Sequence, residues 1–103
     1  MNWKENWRQI ENKYQKAYAL WMQFDSPEAK ICVTYRDLYD FFDEQKLWIT
    51  VYITCSNSGF MWEIVKKTGI DEFSPENIIY NPRSKAEEAA FIKAFEILEE
   101  KLK

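Results

Sequence analysis

Leu47-Trp48-Ile49-Thr50-Val51-Tyr52-Ile53-Thr54-Cys55, then Ser56-Asn57-Ser58-Gly59, then Phe60-Met61-Trp62-Glu63-Ile64-Val65 is the stretch that decides the fold. The first run alternates apolar with mixed residues, the period of a half-buried strand. The polar quartet breaks that run, and the alternation resumes at Phe60. A hairpin with a two-residue Asn57-Ser58 loop pairs Cys55 with Phe60, Ile53 with Trp62 and Val51 with Ile64, all six on one face. The other face then carries Trp48, Thr50, Tyr52 and Thr54 across from Lys67, Val65, Glu63 and Met61. Gly59 leaves a longer, bulged loop open as an alternative.

Working toward the C-terminus, Lys66 to Glu76 is polar and turn-rich, and Ile78-Ile79-Tyr80 can add a short third strand. Ser84 and Glu87 stand three apart, the spacing of a capping box, and open a helix that runs to Leu102. Ala90, Phe91, Ala94, Phe95, Ile97, Leu98 and Leu102 form its apolar stripe. Because Ala90 and Ala94 are small and share a face, this helix can approach the sheet closely. Phe91, Ala94 and Leu98 are expected against the hairpin face that bears Val51, Ile53, Trp62 and Ile64.

Toward the N-terminus, residues 35–45 read as a helix with Leu38, Phe41 and Phe42 along one edge, and Thr34-Tyr35-Arg36-Asp37 resembles a helix cap. Residues 29–34 fit either strand or helix. Asp25-Ser26-Pro27-Glu28 is the clearest break in the chain. Before it, residues 2–24 read as one amphipathic helix, with Trp3, Trp7, Ile10, Tyr14, Ala17 and Trp21 spaced as a seam. The expectation is an α+β fold, in the order α-α-β-β-(β)-α, forming one domain over residues 1–103.

The 103-residue length suits a single modest core, and five Trp, six Tyr and seven Phe can supply much of its buried area. A net charge of −3 removes any general pull toward nucleic acid or anionic membrane. Cys32 and Cys55 fit no zinc spacing and are read as reduced, small apolar residues. The polar start and the lack of a long apolar run predict a cytoplasmic protein without a membrane span.

With no histidine, imidazole catalysis and imidazole metal ligation are excluded. With glycine only at 59 and 69, neither a P-loop nor a dinucleotide fingerprint can be written. Asp37, Asp40 and Glu44 share a helical face with Asp43 nearby; three oxygen ligands could hold Mg²⁺, but such clusters are far more often a solvated surface. No catalytic residue, metal or cofactor is expected.

The stretch from Leu38 to Leu102 resembles a type of small uncharacterised protein found in phages and mobile elements of gut bacteria. The residues that carry the likeness are Leu38-Tyr39-Asp40-Phe41-Phe42-Asp43-Glu44-Gln45 and Ser84-Lys85-Ala86-Glu87-Glu88-Ala89-Ala90-Phe91-Ile92-Lys93-Ala94-Phe95. The resemblance implies a helix, two or three strands and a closing helix; it implies no activity. A second likeness, to double-stranded-RNA-binding domains, founders on charge: where those domains cluster lysines, this chain has Lys85 facing Glu87 and Glu88.

Two functional classes stand ahead of an enzyme. One is a non-catalytic protein-interaction module, a phage or mobile-element accessory protein that binds a host protein or its own copy. Trp3, Trp7, Tyr14, Tyr18 and Trp21 are its candidate contacts, since Trp and Tyr are favoured interface anchors. The acidic balance also leaves nucleic-acid mimicry open. The other class is a nucleic-acid binder in which Lys4, Arg8, Lys13 and Lys16 alternate with aromatics able to stack on bases. The seam can equally be core, packed on the chain's own hairpin. In that case the binding surface is expected on the opposite sheet face, around Trp48, Tyr52 and Met61.

Overall fold

In the computed structural model, residues 3–23, 35–54, 58–67, 69, 71–73 and 79–102 are described, the side chains of residues 3–7, 35 and 71–73 excepted. Four helices and three strands lie among them: α1 (Trp3–Lys13), α2 (Gln15–Gln23), α3 (Tyr35–Glu44), β1 (Leu47–Ile53), β2 (Phe60–Lys66), β3 (Asp71–Phe73) and α4 (Arg83–Lys101). The sheet is antiparallel in the order β1-β2-β3. This is the expected α+β class, and the order matches roughly, with three helices rather than two ahead of the sheet. Cys32, Cys55 and the ambiguous residues 29–34 lie outside the described residues.

The hairpin forms, but in a register two residues from the expected one. Val51 pairs with Trp62 and Ile53 with Phe60, where the two-residue loop required Ile53 opposite Trp62. The reason is local. Thr54 N–H donates to Gly59 O at 2.9 Å, while Thr54 Oγ1 accepts from Ser58 N–H at 3.1 Å, so Thr54 and Gly59 close the hairpin. A threonine hydroxyl that satisfies a turn amide favours this longer loop over the tight one. A shift of two keeps every side chain on its expected face, whereas a shift of one would invert them.

Beyond β3 the chain returns along the same edge of β2. Phe60 and Tyr80 exchange both backbone hydrogen bonds, at 2.9 and 3.0 Å. Of the third strand foreseen at residues 78–80, the described residues show a bridge at Tyr80, and the regular strand is Asp71–Phe73, in the stretch read as turn. Gly59 sits beside this return. A Cβ there would collide with Ile79 Cγ2, and would lie 2.8 Å from Tyr80 O and 2.7 Å from Asn81 Nδ2. Asn81 Nδ2 donates to Ser58 O at 2.8 Å, which fastens the hairpin turn to the entry of α4.

The capping box does not form. Helix α4 begins at Arg83 with Pro82 as its N-cap and no side-chain cap. Ser84 is thus already inside the first turn, and Glu87 is free of any capping role. Instead Glu87, only 8% exposed, accepts a hydrogen bond from Tyr39 Oη at 2.9 Å, tying α4 to α3. That bond meets the requirement that a buried carboxylate be partnered.

One hydrophobic core joins all layers. Phe91, Ala94, Phe95 and Leu98 of α4 meet Val51, Trp62 and Ile64 of the sheet, as expected, together with Leu38, Phe41 and Phe42 of α3. Ile53 departs from expectation: it lies at the end of β1 and is 55% exposed. Leu102, placed in the stripe by its spacing, is exposed at the end of α4. Four phenylalanines form the centre, with Phe42 edge-on to Phe95 at 4.9 Å and stacked on Phe91 at 6.3 Å. Such mixed edge and stacked geometry suits the aromatic quadrupole.

The single N-terminal helix is interrupted at Tyr14. Tyr14 N–H still bonds to Ile10 O, and Tyr18 N–H to Tyr14 O, each at 2.8 Å. Ala17 N–H, which an unbroken helix would direct to Lys13 O, donates instead to Glu99 Oε1 of α4 at 2.9 Å. A side chain that enters the helical ladder is a known cause of such breaks. Lys16 Nζ answers from the other side, donating to Leu102 O at 3.4 Å.

Candidate functional site

Among the described side chains, the N-terminal seam is largely core. Trp21 is 2% exposed and meets Phe41 edge-on, with ring centroids 5.2 Å apart. Ile10 and Ala17 are buried beside it, and the half-buried Tyr14 and Tyr18 pack against the same cluster. Trp21 is therefore unavailable to a partner, which corrects its candidacy as a contact. The physical reason is that helix α2 lies on α4, so the seam finds cover on a helix rather than on the hairpin. The side chains of Trp3, Trp7 and Lys4 lie outside the described residues. Burial raises the Tyr14 hydroxyl pKa, with Glu96 raising it further and Lys93 opposing. Burial and then Glu11 raise that of Tyr18. Both remain neutral phenols at physiological pH.

The cations named for nucleic acid are only partly usable. Arg8, Lys13 and Lys16 are exposed, but Lys16 is directed to the C-terminal end of α4. Their aromatic neighbours Tyr14 and Tyr18 are packed inward, so bases have little ring surface to stack on. At the start of α4, Lys85 pairs with Glu88 at 3.8 Å, which further weakens the likeness to an RNA-binding helix. Among the described residues, no group of three or more Asp, Glu, Cys or His side chains is placed to hold a metal, so Asp37, Asp40 and Glu44 do not converge.

The sheet's second face, turned from the helices, is the candidate site. It displays Trp48, Thr50 and Tyr52 of β1 across from Val65, Glu63 and Met61 of β2. Trp48 is 40% and Tyr52 37% exposed, and Val65 and Met61 are half-buried next to them. Each aromatic thus stands against an apolar cross-strand partner, a pairing that fixes its position on the pleat. Thr50 and Glu63 form a polar step between the two aromatic pairs. The same geometry that buries Val51, Trp62 and Ile64 exposes this row, because alternate residues of a strand face opposite ways.

Strand β1 adds a second property: it is an outer strand, hydrogen-bonded to β2 and to no other strand among the described residues. Its seven residues, LWITVYI, carry no charge. Edge strands are ordinarily protected by lysine, proline or a bulge, and β1 has none of these within its length. The surface therefore offers aromatic side chains on its face. Sequence reasoning ranked this face second because composition drew attention to the N-terminal tryptophans. The alternating pattern itself had placed Trp48, Tyr52 and Met61 on it.

Among the described residues, no helix is long and apolar enough to cross a membrane. No protein-family model, curated protein or solved structure matches this chain.

Proposed function

We infer that the chain is a cytoplasmic, non-catalytic protein-interaction module whose contact surface is the open sheet face centred on Trp48 and Tyr52. The observation that supports this reading is the exposure of both aromatics on an uncharged outer strand. Trp and Tyr bring large, stiff surfaces to an interface at small entropic cost, and are favoured as anchors. The partner is another protein or a second copy of the chain, in the setting of a phage or mobile-element accessory protein that the sequence resemblance implies. Recognition by strand addition along β1, with Trp48 and Tyr52 as side-chain anchors, accounts for both features of the surface at once.

The test replaces both aromatics with serine, W48S/Y52S, and measures mass by light scattering alongside capture of partners from a bacterial lysate. Association should be lost while the far-ultraviolet circular dichroism stays native. The same association in wild type and variant would overturn the assignment to this face. Strongly salt-dependent binding of nucleic acid, abolished by substituting Arg8 and Lys13, would favour the alternative reading instead.

A further inference from the structure

A cleft of about 760 Å³ opens at the far end of the sheet from the hairpin turn, between the strands and the last turns of α4. Its lining includes Lys46, Lys66, Lys67, Lys93 and Lys101 against Glu96 and Glu100, with Leu47 and Ile97 as the apolar part. Five lysines against two glutamates invert the local charge on a chain whose net charge is −3. Several cations lining one cleft need a reason, since like charges repel. Some are balanced internally: Lys93 pairs with Glu96 at 3.2 Å, and Lys101 Nζ donates to Gln45 O at 3.3 Å. Lys46 and Lys67 are exposed.

The backbone at Lys46 makes the case sharper. Its φ is 62°, the left-handed conformation that ends α3. Glycine ordinarily fills such a helix-terminating position, because any Cβ is strained there. The chain instead holds a lysine at that point, on the cleft lining. A strained residue whose side chain serves a concave site is an arrangement seen at binding sites.

We propose that this cleft binds a small organic phosphate. Lys46 and Lys67 meet the dianionic head as point charges, and the apolar body lies on Ile97 and the lysine stems. The cleft volume falls in the range of small-molecule sites, roughly 300–1,000 Å³. A phosphate monoester, with about −1.5 to −2 charges at neutral pH, suits several ammonium groups better than a single carboxylate does. This site lies apart from the open sheet face and does not rest on the protein-interaction reading.

Phenyl phosphate, inorganic phosphate and phenol are the probes, each titrated into the full chain and followed by backbone amide shifts at Lys46, Leu47, Lys67 and Ile97. Phenyl phosphate should give saturable shifts that weaken with added salt, inorganic phosphate weaker ones, and phenol none. The K46Q/K67Q variant should bind phenyl phosphate at least about tenfold more weakly. K46G should raise the melting temperature yet lose affinity, because it relieves the strained backbone while removing a cation. Absence of saturable shifts with phenyl phosphate, equal binding of inorganic phosphate, or undiminished binding by K46Q/K67Q would each overturn the proposal.

Discussion

Glu99 Oε1 accepts the backbone N–H of Ala17 at 2.9 Å, across 82 positions of sequence, at the point where the N-terminal helix is interrupted. Ala17 is fully buried, so its amide has no recourse to water. This bond lies where the helical ladder breaks near Tyr14, and it ties α2 to α4 beside the packing of Trp21 on Phe41.

Glu99→Ala should therefore destabilise the fold by about 1–3 kcal/mol, the cost of leaving a buried donor without its acceptor. Glu99→Gln keeps an acceptor oxygen and should recover most of that loss. Urea denaturation of the three proteins separates these outcomes. Equal midpoints for wild type and Glu99→Ala would show that Ala17 N–H finds another acceptor, with Lys13 O the obvious one.

Gly59 is required by proximity. Ile79, Tyr80 and Asn81 lie so close that even a methyl group meets side chain and backbone together. Since Tyr80 is held to Phe60 by two backbone bonds, the neighbouring chain cannot simply withdraw. Gly59→Ala should cost about 1–3 kcal/mol, the usual range for overpacking. Amide exchange should quicken first at Phe60 and Tyr80. Slow exchange at both in the variant would mean that the return strand adjusts without loss.

Asp43 offers a test by pH. Burial first, and then repulsion from Asp40, raise its pKa from the ordinary value of 3.8. The folded state then binds this proton more readily than the unfolded chain does. Stability contributed by this group consequently falls as pH rises from the ordinary value through the raised one, and the cost is complete above it. Its place in the last turn of α3, where the helix dipole disfavours negative charge, acts in the same direction. Asp43→Asn should melt slightly higher than wild type at pH 7, and the difference should vanish below the ordinary aspartate range. Melting curves between pH 3 and 7 decide it, and an equal gap at both ends would assign the effect to something other than charge.

The sequence alone determined which residues alternate and which recur with helical period, and so the α+β class, the hairpin and the inward face of most core residues. Val51, Trp62, Ile64, Phe91 and Ala94 were legible because their neighbours along the chain set the face they occupy. The open face with Trp48, Tyr52 and Met61 followed from the same alternation. Tertiary structure decided everything that depended on a partner distant in sequence. The hairpin register moved by two because Thr54 and Ser58 satisfy each other in a longer turn, which the strand pattern, indifferent to even shifts, could not distinguish. Glu87 was drawn from its capping position toward Tyr39, and α2 was set on α4 by Glu99. Likewise Lys46, Lys67 and Lys93 share no local pattern. The return of β2 and the approach of α4 bring them to one cleft, because packing, unlike periodicity, acts between segments that the sequence keeps apart.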